Sequence, residues 1–168
     1  GHPLTIGYFA RICPEKGLHL LVEAVQRLAQ DASLPPWRLR VAGYLGEGDR
    51  PYLAAIEARL AEQGLADRFE YVGEVDRVGK IEFLQSLDMM SVPTVYRESK
   101  GLSILEALAN AVPVVLPAHG TFPEVVADTQ GGLLHEPLDP GSLAEKLAIY
   151  LREPATATRD GLAGQAAV

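Results

Sequence analysis

Leu4-Thr5-Ile6-Gly7-Tyr8-Phe9, then Ala10-Arg11-Ile12-Cys13-Pro14-Glu15-Lys16-Gly17, then a run to Gln30: three successive patterns near the start of the chain set the fold. The first six residues are almost all apolar, as in a strand covered on both faces. The last stretch places Leu18, Leu21, Val22, Val25, Leu28 and Ala29 at helical spacing, so Gly17–Gln30 reads as an amphipathic helix. Between them lies a loop carrying Arg11 and Lys16. This is one βα unit.

The same alternation continues outward. Arg38–Ala42, Phe69–Val72, Met89–Val92, Val114–Leu116 and Leu133–His135 read as strands. Pro51–Gln63 (closed by Gly64), Val78–Leu87, Gly101–Asn110, a short stretch near Pro123–Ala127, and Ser142–Leu151 read as helices. Strands that alternate with helices imply βαβ units: an α/β fold with a doubly wound, mostly parallel sheet and helices on both faces. In such sheets ligands bind beyond the carboxyl ends of the strands. The loops there are Arg11–Lys16, Gly43–Asp49, Gly73–Asp76, Pro93–Lys100 and Pro117–Thr121. Residues 1–152 form one expected domain. Residues 153–168, rich in Ala, Gly and Thr, are expected to be a tail, frayed or disordered over most of Ala155–Val168.

With 168 residues, 48% of them apolar and 22% charged, the chain has the composition of an ordinary globular domain. Its net charge of −7 argues against nucleic acid or an anionic membrane surface as a general partner. Any anion site must therefore be made locally. Cys13 is the only cysteine, which excludes an intrachain disulfide. The sequence has no run of 18 apolar residues and no basic-then-apolar leader, so no transmembrane segment is expected and cytoplasmic residence is the default expectation. The abrupt start at Gly1-His2-Pro3 and the texture of the tail lead us to expect that both ends are cuts through something longer.

Two groups of residues carry chemistry. Arg11 and Lys16 project from the first loop near a helix N-terminus and could clamp a diphosphate. The alternative is a pair of solvated charges, with Lys16 pairing Glu15. The second group is Glu98-Ser99-Lys100-Gly101-Leu102-Ser103-Ile104-Leu105-Glu106. Gly101, Leu102 and Ser103 offer unpaired N–H groups at a helix tip, and Gly101 lets a phosphate approach closely. Glu98 precedes the helix, and Glu106 lies in its apolar run. Two hydroxyl-gripping carboxylates flanking an anion site suit a ligand with a sugar at each end and an anion between, which is the layout of a nucleotide sugar. If both were helical, eight steps would set their backbones about 12 Å apart. The carboxyl pair of a retaining glycosidase stands only about 5 Å apart. The alternative is a solvated loop acid and a helix-surface acid, against which stands the cost of an unpaired carboxylate among apolar neighbours.

Other patterns fail on inspection. The first loop lacks the G-x-G-x-x-G of a dinucleotide site. Gly73-x5-Gly79-Lys80 has one residue too many for a P-loop, and Ile81 stands where a magnesium-binding hydroxyl is needed. No Asp-x-Asp pair occurs, and His2, His19, His119 and His135 show no zinc spacing. His119, beside Gly120 at a strand end, either faces a ligand or faces solvent. Proline at the first turn and an acid near the positive helix end account for Pro123-Glu124 without catalysis.

Taken in order, several short signatures resemble one family. They are Gly7…Arg11…Lys16-Gly17, Arg38-Leu39-Arg40-Val41-Ala42-Gly43, Val72-Gly73, Ser91-Val92-Pro93-Thr94 and Glu98-x-x-Gly101-Leu102-x-x-x-Glu106-Ala107-Leu108-Ala109. Pro113-Val114-Val115, Gly120-x-x-Pro123-Glu124-Val125-Val126 and Gly132-Leu133-Leu134 complete them. From Ile6 to Leu151 the chain resembles the C-terminal, nucleotide-sugar-binding half of a retaining glycosyltransferase with two Rossmann-like domains, a GT-B type enzyme of family 4 (glycosyl transferases group 1).

The resemblance implies that Arg11 and Lys16 bind the donor diphosphate and that Gly101, Leu102 and Ser103 present N–H groups to it. It implies that Glu106 holds the ribose hydroxyls and that Glu98, the candidate catalytic residue, holds the transferred sugar and stabilises charge at its anomeric carbon. Activation is then electrostatic, with a nucleoside-diphosphate sugar as donor substrate and no metal ion or cofactor. Three positions depart from the family pattern: Lys100 for an aromatic residue, His119 for a glycine, and Ala111 for a glycine. The family's N-terminal acceptor-binding domain is not represented here. The chain alone is therefore expected to bind donor but transfer sugar poorly. A non-catalytic nucleotide-sugar-binding module, and a phosphorylase or epimerase on the same plan, are the other readings.

Overall fold

In the structure, a computed structural model that describes residues 2–168, six strands alternate with helices. They are β1 (Leu4–Phe9), α1 (Leu18–Leu28), β2 (Trp37–Ala42), α2 (Arg50–Glu62), β3 (Phe69–Gly73), α3 (Arg77–Gln85) and β4 (Met89–Met90). Then follow α4 (Leu102–Ala109), β5 (Val114–Pro117), α5 (Phe122–Thr129), β6 (Gly132–His135), α6 (Pro140–Arg152) and α7 (Pro154–Ala167). All strand pairs are parallel, in the order β3-β2-β1-β4-β5-β6. That is the Rossmann order, whose winding direction reverses between β1 and β4. The loops after β1 and β4 therefore part there and leave a crevice.

The central strands are apolar because both faces are covered. Ile6 and Tyr8 of β1 and all of Val114–Leu116 are fully buried. Helix α1 turns Leu18, Leu21, Val22, Val25 and Leu28 inward, and each such burial stabilises the fold by roughly 1.5–3 kcal/mol. It packs on α6, while α4 and α5 pack on α7. No helix among the described residues is long and apolar enough to cross a membrane.

Element boundaries differ from the sequence reading where side-chain caps or turns intervene. Asp76 accepts from the Gly79 N–H at 2.7 Å and starts α3 one residue before Val78. Asp139 does the same for Ser142 at 3.0 Å, starting α6 at Pro140. Strand β4 is two residues, not the expected four, because the turn from Thr94 N–H to the Val92 carbonyl (2.9 Å) draws the chain off the sheet before Pro93.

The largest departure is at the end of the chain. Residues 154–167, expected to fray, form α7. Its buried residues are small: Ala157, Asp160, Gly161 and Gly164. It is held by close approach rather than bulk, with Gly164 against the Leu108 side chain and Gly161 against the Ala111 carbonyl. The fully buried Tyr150 of α6 donates to Asp160 at 2.6 Å and pins α7 to the preceding helix.

The end of α4 contains a built-in strain. Val112 N–H donates to the Ala107 carbonyl at 3.0 Å and Ala111 N–H to the Leu108 carbonyl at 2.9 Å, the paired bonds of a Schellman cap. The left-handed position of that cap, φ 61°, is Ala111. A Cβ there costs about 1 kcal/mol, partly offset in glycine by the freedom of its unfolded chain. Ala111→Gly is therefore expected to stabilise the protein by about 0.5 kcal/mol in urea unfolding.

Candidate functional site at the strand switch point

The crevice between β1 and β4 is where the predicted residues meet. Tyr8 at the end of β1 donates its hydroxyl to the Arg11 carbonyl at 2.7 Å, fixing the start of the first loop. A single 3₁₀ turn, Pro14–Lys16, then carries Lys16 across the crevice. On the other side the chain leaves β4 and returns as α4, with Glu98 in the connecting loop. Lys16 Nζ lies 2.9 Å from Glu98 Oε2. Its partner is therefore Glu98, 82 positions away, and not the adjacent Glu15.

Helix α4 points its N-terminus into this crevice. Gly101 caps it, and the first intrahelical bonds run from Ile104 and Leu105 to the Gly101 carbonyl, 3.1 Å each. The N–H groups of Leu102 and Ser103 precede those bonds and are the helix's unpaired donors. Arg11, Lys16, Glu98, Lys100, Gly101, Leu102 and Ser103 line one depression of about 290 Å³. A second depression of about 360 Å³ is lined by Gly43, Tyr44, Glu74, Val75 and Glu106. The two share Ala10, Arg11, Leu102 and Ser103. Together they make one trough with Glu98 near one end, Glu106 at the other, and Arg11 with the helix tip in the middle. Three cations, Arg11, Lys16 and Lys100, border its Glu98 end in a chain whose overall charge is −7.

Glu106 sits in a different environment from the one its apolar neighbours suggested. The buried face of α4 is Ile104, Ala107 and Leu108, whereas Leu102 and Leu105 are exposed. Glu106 shares that open face, with its side chain 37% exposed, and is paired with Lys80 of α3 at 2.5 Å. Burial is therefore not what singles it out; its place at the end of the trough is. Glu98 is more enclosed, its side chain 15% exposed.

Four participants carry no role in the sequence reading. Tyr96 donates its hydroxyl to Glu98 Oε2 at 2.9 Å, and its ring lies 5.2 Å from Lys16 Nζ. Lys80 holds Glu106. Tyr44 lies under the Arg11 guanidinium, 5.8 Å from ring centre to Cζ, while Asp49 approaches Arg11 at 3.9 Å. Only Tyr96, two residues before Glu98, had a local signal. The pairing of Lys80 with Glu106 depends on how α3 lies beside α4, which no short-range pattern encodes. His119 turns inward to the protein: its Nε2 meets the Thr94 carbonyl at 3.1 Å and its ring stacks on Phe122. Among the described residues, no three His, Cys, Asp or Glu side chains are grouped so as to hold a metal ion.

The ion pair sets the charge state of the crevice. Burial pushes the Glu98 carboxyl up, but the Lys16 ammonium and the Tyr96 hydroxyl more than offset it and leave it below the usual glutamate value. Burial likewise pushes Lys16 down, and the Tyr96 and Glu98 contacts more than offset that, so it ends above the usual lysine value. A carboxylate with a lowered folded pKa stabilises fully above its ordinary 4.5 and loses that contribution as pH falls through the folded value. An ammonium with a raised one stabilises fully below its ordinary 10.5 and loses it as pH rises through the folded value. The pair's contribution is thus expected to be complete between those limits. The stability gap between wild type and Glu98→Gln, measured by urea unfolding, should be present at pH 7 and shrink toward pH 3.

Comparison with known proteins places this geometry in context. Residues 1–166 match the family model described as glycosyl transferases group 1. The chain is 33% identical over 161 residues to 2-deoxystreptamine glucosyltransferase of Streptomyces kanamyceticus, covering 96% of this chain and 40% of that protein. It is 31% identical over 163 residues to the lipopolysaccharide core biosynthesis mannosyltransferase LpsB of Rhizobium meliloti, covering 94% and 45%. Among solved structures, it is similar to the C-terminal domain of a glycosyl transferase group 1 family protein (LpcC) from Francisella tularensis. That similarity has a TM-score of 0.86, 25% identity, and coverage of 98% of this chain and 84% of that one. The chain thus spans less than half the length of the two curated relatives.

Proposed function

The chain belongs to the glycosyl transferases group 1 family, and from that premise we propose that it is the donor-binding part of a retaining glycosyltransferase that moves a sugar from a nucleoside-diphosphate sugar to an acceptor without a metal ion. The observation that carries the reading is the single trough at the β1–β4 switch point, with Arg11 and a helix tip in its middle, Lys16 and Lys100 beside Glu98 toward one end and Glu106 at the other. The named relatives transfer glucose and mannose, which agrees with a sugar donor.

In this reading Arg11 and the Leu102 and Ser103 N–H groups hold the diphosphate. Lys16 has three N–H donors, so it can keep Glu98 while turning another to a phosphate oxygen. Glu106, oriented by Lys80, takes the ribose hydroxyls, and the base lies toward Gly43 and Glu74–Val75. Glu98 takes the hydroxyls of the transferred sugar. As the bond from the anomeric carbon to the phosphate oxygen breaks, negative charge grows on the diphosphate and positive charge on the sugar ring. Cations and the helix tip stabilise the first charge, and Glu98 the second. The acceptor hydroxyl bonds to the anomeric carbon on the face the diphosphate leaves, and its proton goes to the departing phosphate oxygen. Groups that bind the acceptor lie outside this trough, in sequence the longer relatives contain. The 168-residue chain is accordingly proposed to bind donor and to transfer sugar poorly or not at all.

The test is calorimetry of the chain against a panel of nucleoside diphosphates, their sugars, and pyrophosphate. At least one nucleoside diphosphate should bind. Arg11→Ala should weaken it by roughly 10- to 100-fold, the effect of a lost hydrogen bond to a charged group. Glu106→Ala should weaken the nucleoside diphosphate but leave pyrophosphate unchanged. A wild-type chain that binds none of the panel refutes the reading, and so does sugar transfer by this chain at an ordinary enzymatic rate for the proposed division of labour.

A further inference from the structure

His119 has no place in the trough, yet it touches the segment that carries Glu98. That segment, residues 93–100, is held from behind by three consecutive residues. His119 Nε2 meets the Thr94 carbonyl at 3.1 Å. Gly120, at φ 59°, lies so close that a Cβ there would sit 2.5 Å from the Glu98 carbonyl oxygen and 2.7 Å from its nitrogen. Thr121 N–H donates to that same Glu98 carbonyl at 2.8 Å. We propose that His119 is a positioning residue for Glu98: by donating its Nε2–H to Thr94 it seats Gly120 and Thr121 against the Glu98 backbone, and so sets where the carboxylate meets Lys16 and the sugar.

The hydrogen-bond inventory supports this assignment. A carbonyl can only accept, so Nε2 carries a proton and donates to Thr94. The His119 Nδ1 is buried without a partner. A buried polar atom left unpaired is destabilising, a cost that an apolar side chain stacked on Phe122 would avoid. What an apolar side chain could not do is hold the Thr94 carbonyl. Thr94 is itself 1% exposed, so water cannot take over the missing donation freely. Glu98 depends on this support because the Lys16 and Tyr96 contacts act on its side chain alone and leave its backbone to the His119–Thr121 segment.

The proposal rests on Glu98 facing the donor sugar only for its consequence; its core is testable without any ligand. The chain is labelled with ¹³C at glutamate side-chain carboxyls, and Glu98 is identified by the signal missing in Glu98→Gln. His119→Leu keeps volume against Phe122 and lacks the donor. It is expected to raise the Glu98 titration midpoint by at least about 0.5 pH unit as the Lys16 contact loosens. His119→Gln, whose amide nitrogen reaches as far as Nε2, should restore the wild-type midpoint. His119→Asn, whose amide reaches only as far as Nδ1, should behave as leucine does, and serves in its place if the leucine variant does not fold. A Glu98 midpoint that stays at the wild-type value in the folded donor-less variant overturns the proposal, even if thermal stability falls. In calorimetry, a donor-less variant should bind a nucleoside diphosphate as wild type does but lose the extra affinity for its sugar. Absence of all binding in wild type would instead refute the donor-site reading, with the Glu98 titration still deciding the role of His119.

Discussion

Gly17→Ala is expected to cost the fold about 3 kcal/mol, a large share of the total for a domain of this size. Gly17 ends the 3₁₀ turn that carries Lys16 and begins α1, at φ 82°. An L side chain in that conformation costs about 1–2 kcal/mol by itself. The rest comes from across the crevice: a Cβ would sit 1.9 Å from the Pro93 carbonyl oxygen and 2.7 Å from its carbon. Both are backbone atoms of the buried Pro93, so no side chain can swing aside, and overpacking of this kind adds about 1–3 kcal/mol. The melting temperature should fall by roughly 6–12 °C. The consequence for function is more specific than lost stability. Gly17 is one of the places where the loop after β1 touches the loop after β4, beside the 2.9 Å bond from the Val95 N–H to the Glu15 carbonyl, and Lys16 and Glu98 are side chains that meet across the same seam. Any residual folded Gly17→Ala should have lost the Lys16–Glu98 pair, and with it the pH dependence described above. A fall of less than about 3 °C would show that the two loops have slack and that the pair is not set by this contact.

The sequence carries that contact only in part. Both loops, Arg11–Lys16 and Pro93–Lys100, were recognisable as lying at the carboxyl ends of strands, because apolar runs and amphipathic runs alternate without ambiguity from Leu4 to Leu151. What alternation cannot give is strand order. That β1 lies beside β4, and not β3, follows from long-range packing. Lys16 therefore looked as well suited to Glu15 as to any distant acid. The Glu98-to-Glu106 stretch reads as a helix start with a carboxylate on each side, but burial does not single out Glu106. Its helix turns Ile104, Ala107 and Leu108 inward and leaves the next face open. In the sequence Lys80 stands out only inside a failed phosphate-loop match, since the neighbour that gives it meaning is on another helix. Helix α7 escapes the sequence pattern for a different reason. Its inward face is Ala157, Asp160, Gly161 and Gly164, spaced as a helix requires but without the bulk that marks an amphipathic pattern. Small residues there allow close packing on α4 and on the turn at Ala111, a stabilisation that hydropathy does not register.

Glu98→Gln should separate the chemical role of this acid from its structural one. The amide keeps the shape of the side chain and can still accept a hydrogen bond from Lys16, so the site should remain assembled. What is lost is a full negative charge beside the place assigned to the anomeric carbon. If that carbon gains positive charge in the transition state, the loss appears there and hardly in the ground state. In a transferase that contains this chain, as proposed above, kcat for transfer should fall by about 10²- to 10³-fold, the range for removing one preorganised electrostatic contact, with the KM for donor little changed. Binding of the bare nucleoside diphosphate should move the other way or not at all, because Lys16 no longer shares its charge with a carboxylate and can give it wholly to phosphate. These two signs distinguish the assignment from its rivals. A Glu98 that merely steadies Lys16 would, on substitution, alter diphosphate affinity and stability while leaving kcat within a few fold. A hydrolytic pair with Glu106 would require that acid to be equally indispensable to kcat, yet Glu106 is engaged with Lys80 at the far end of the trough. Its removal should instead raise the donor KM. A kcat in Glu98→Gln within about threefold of wild type would remove Glu98 from the chemistry, since that corresponds to well under 1 kcal/mol.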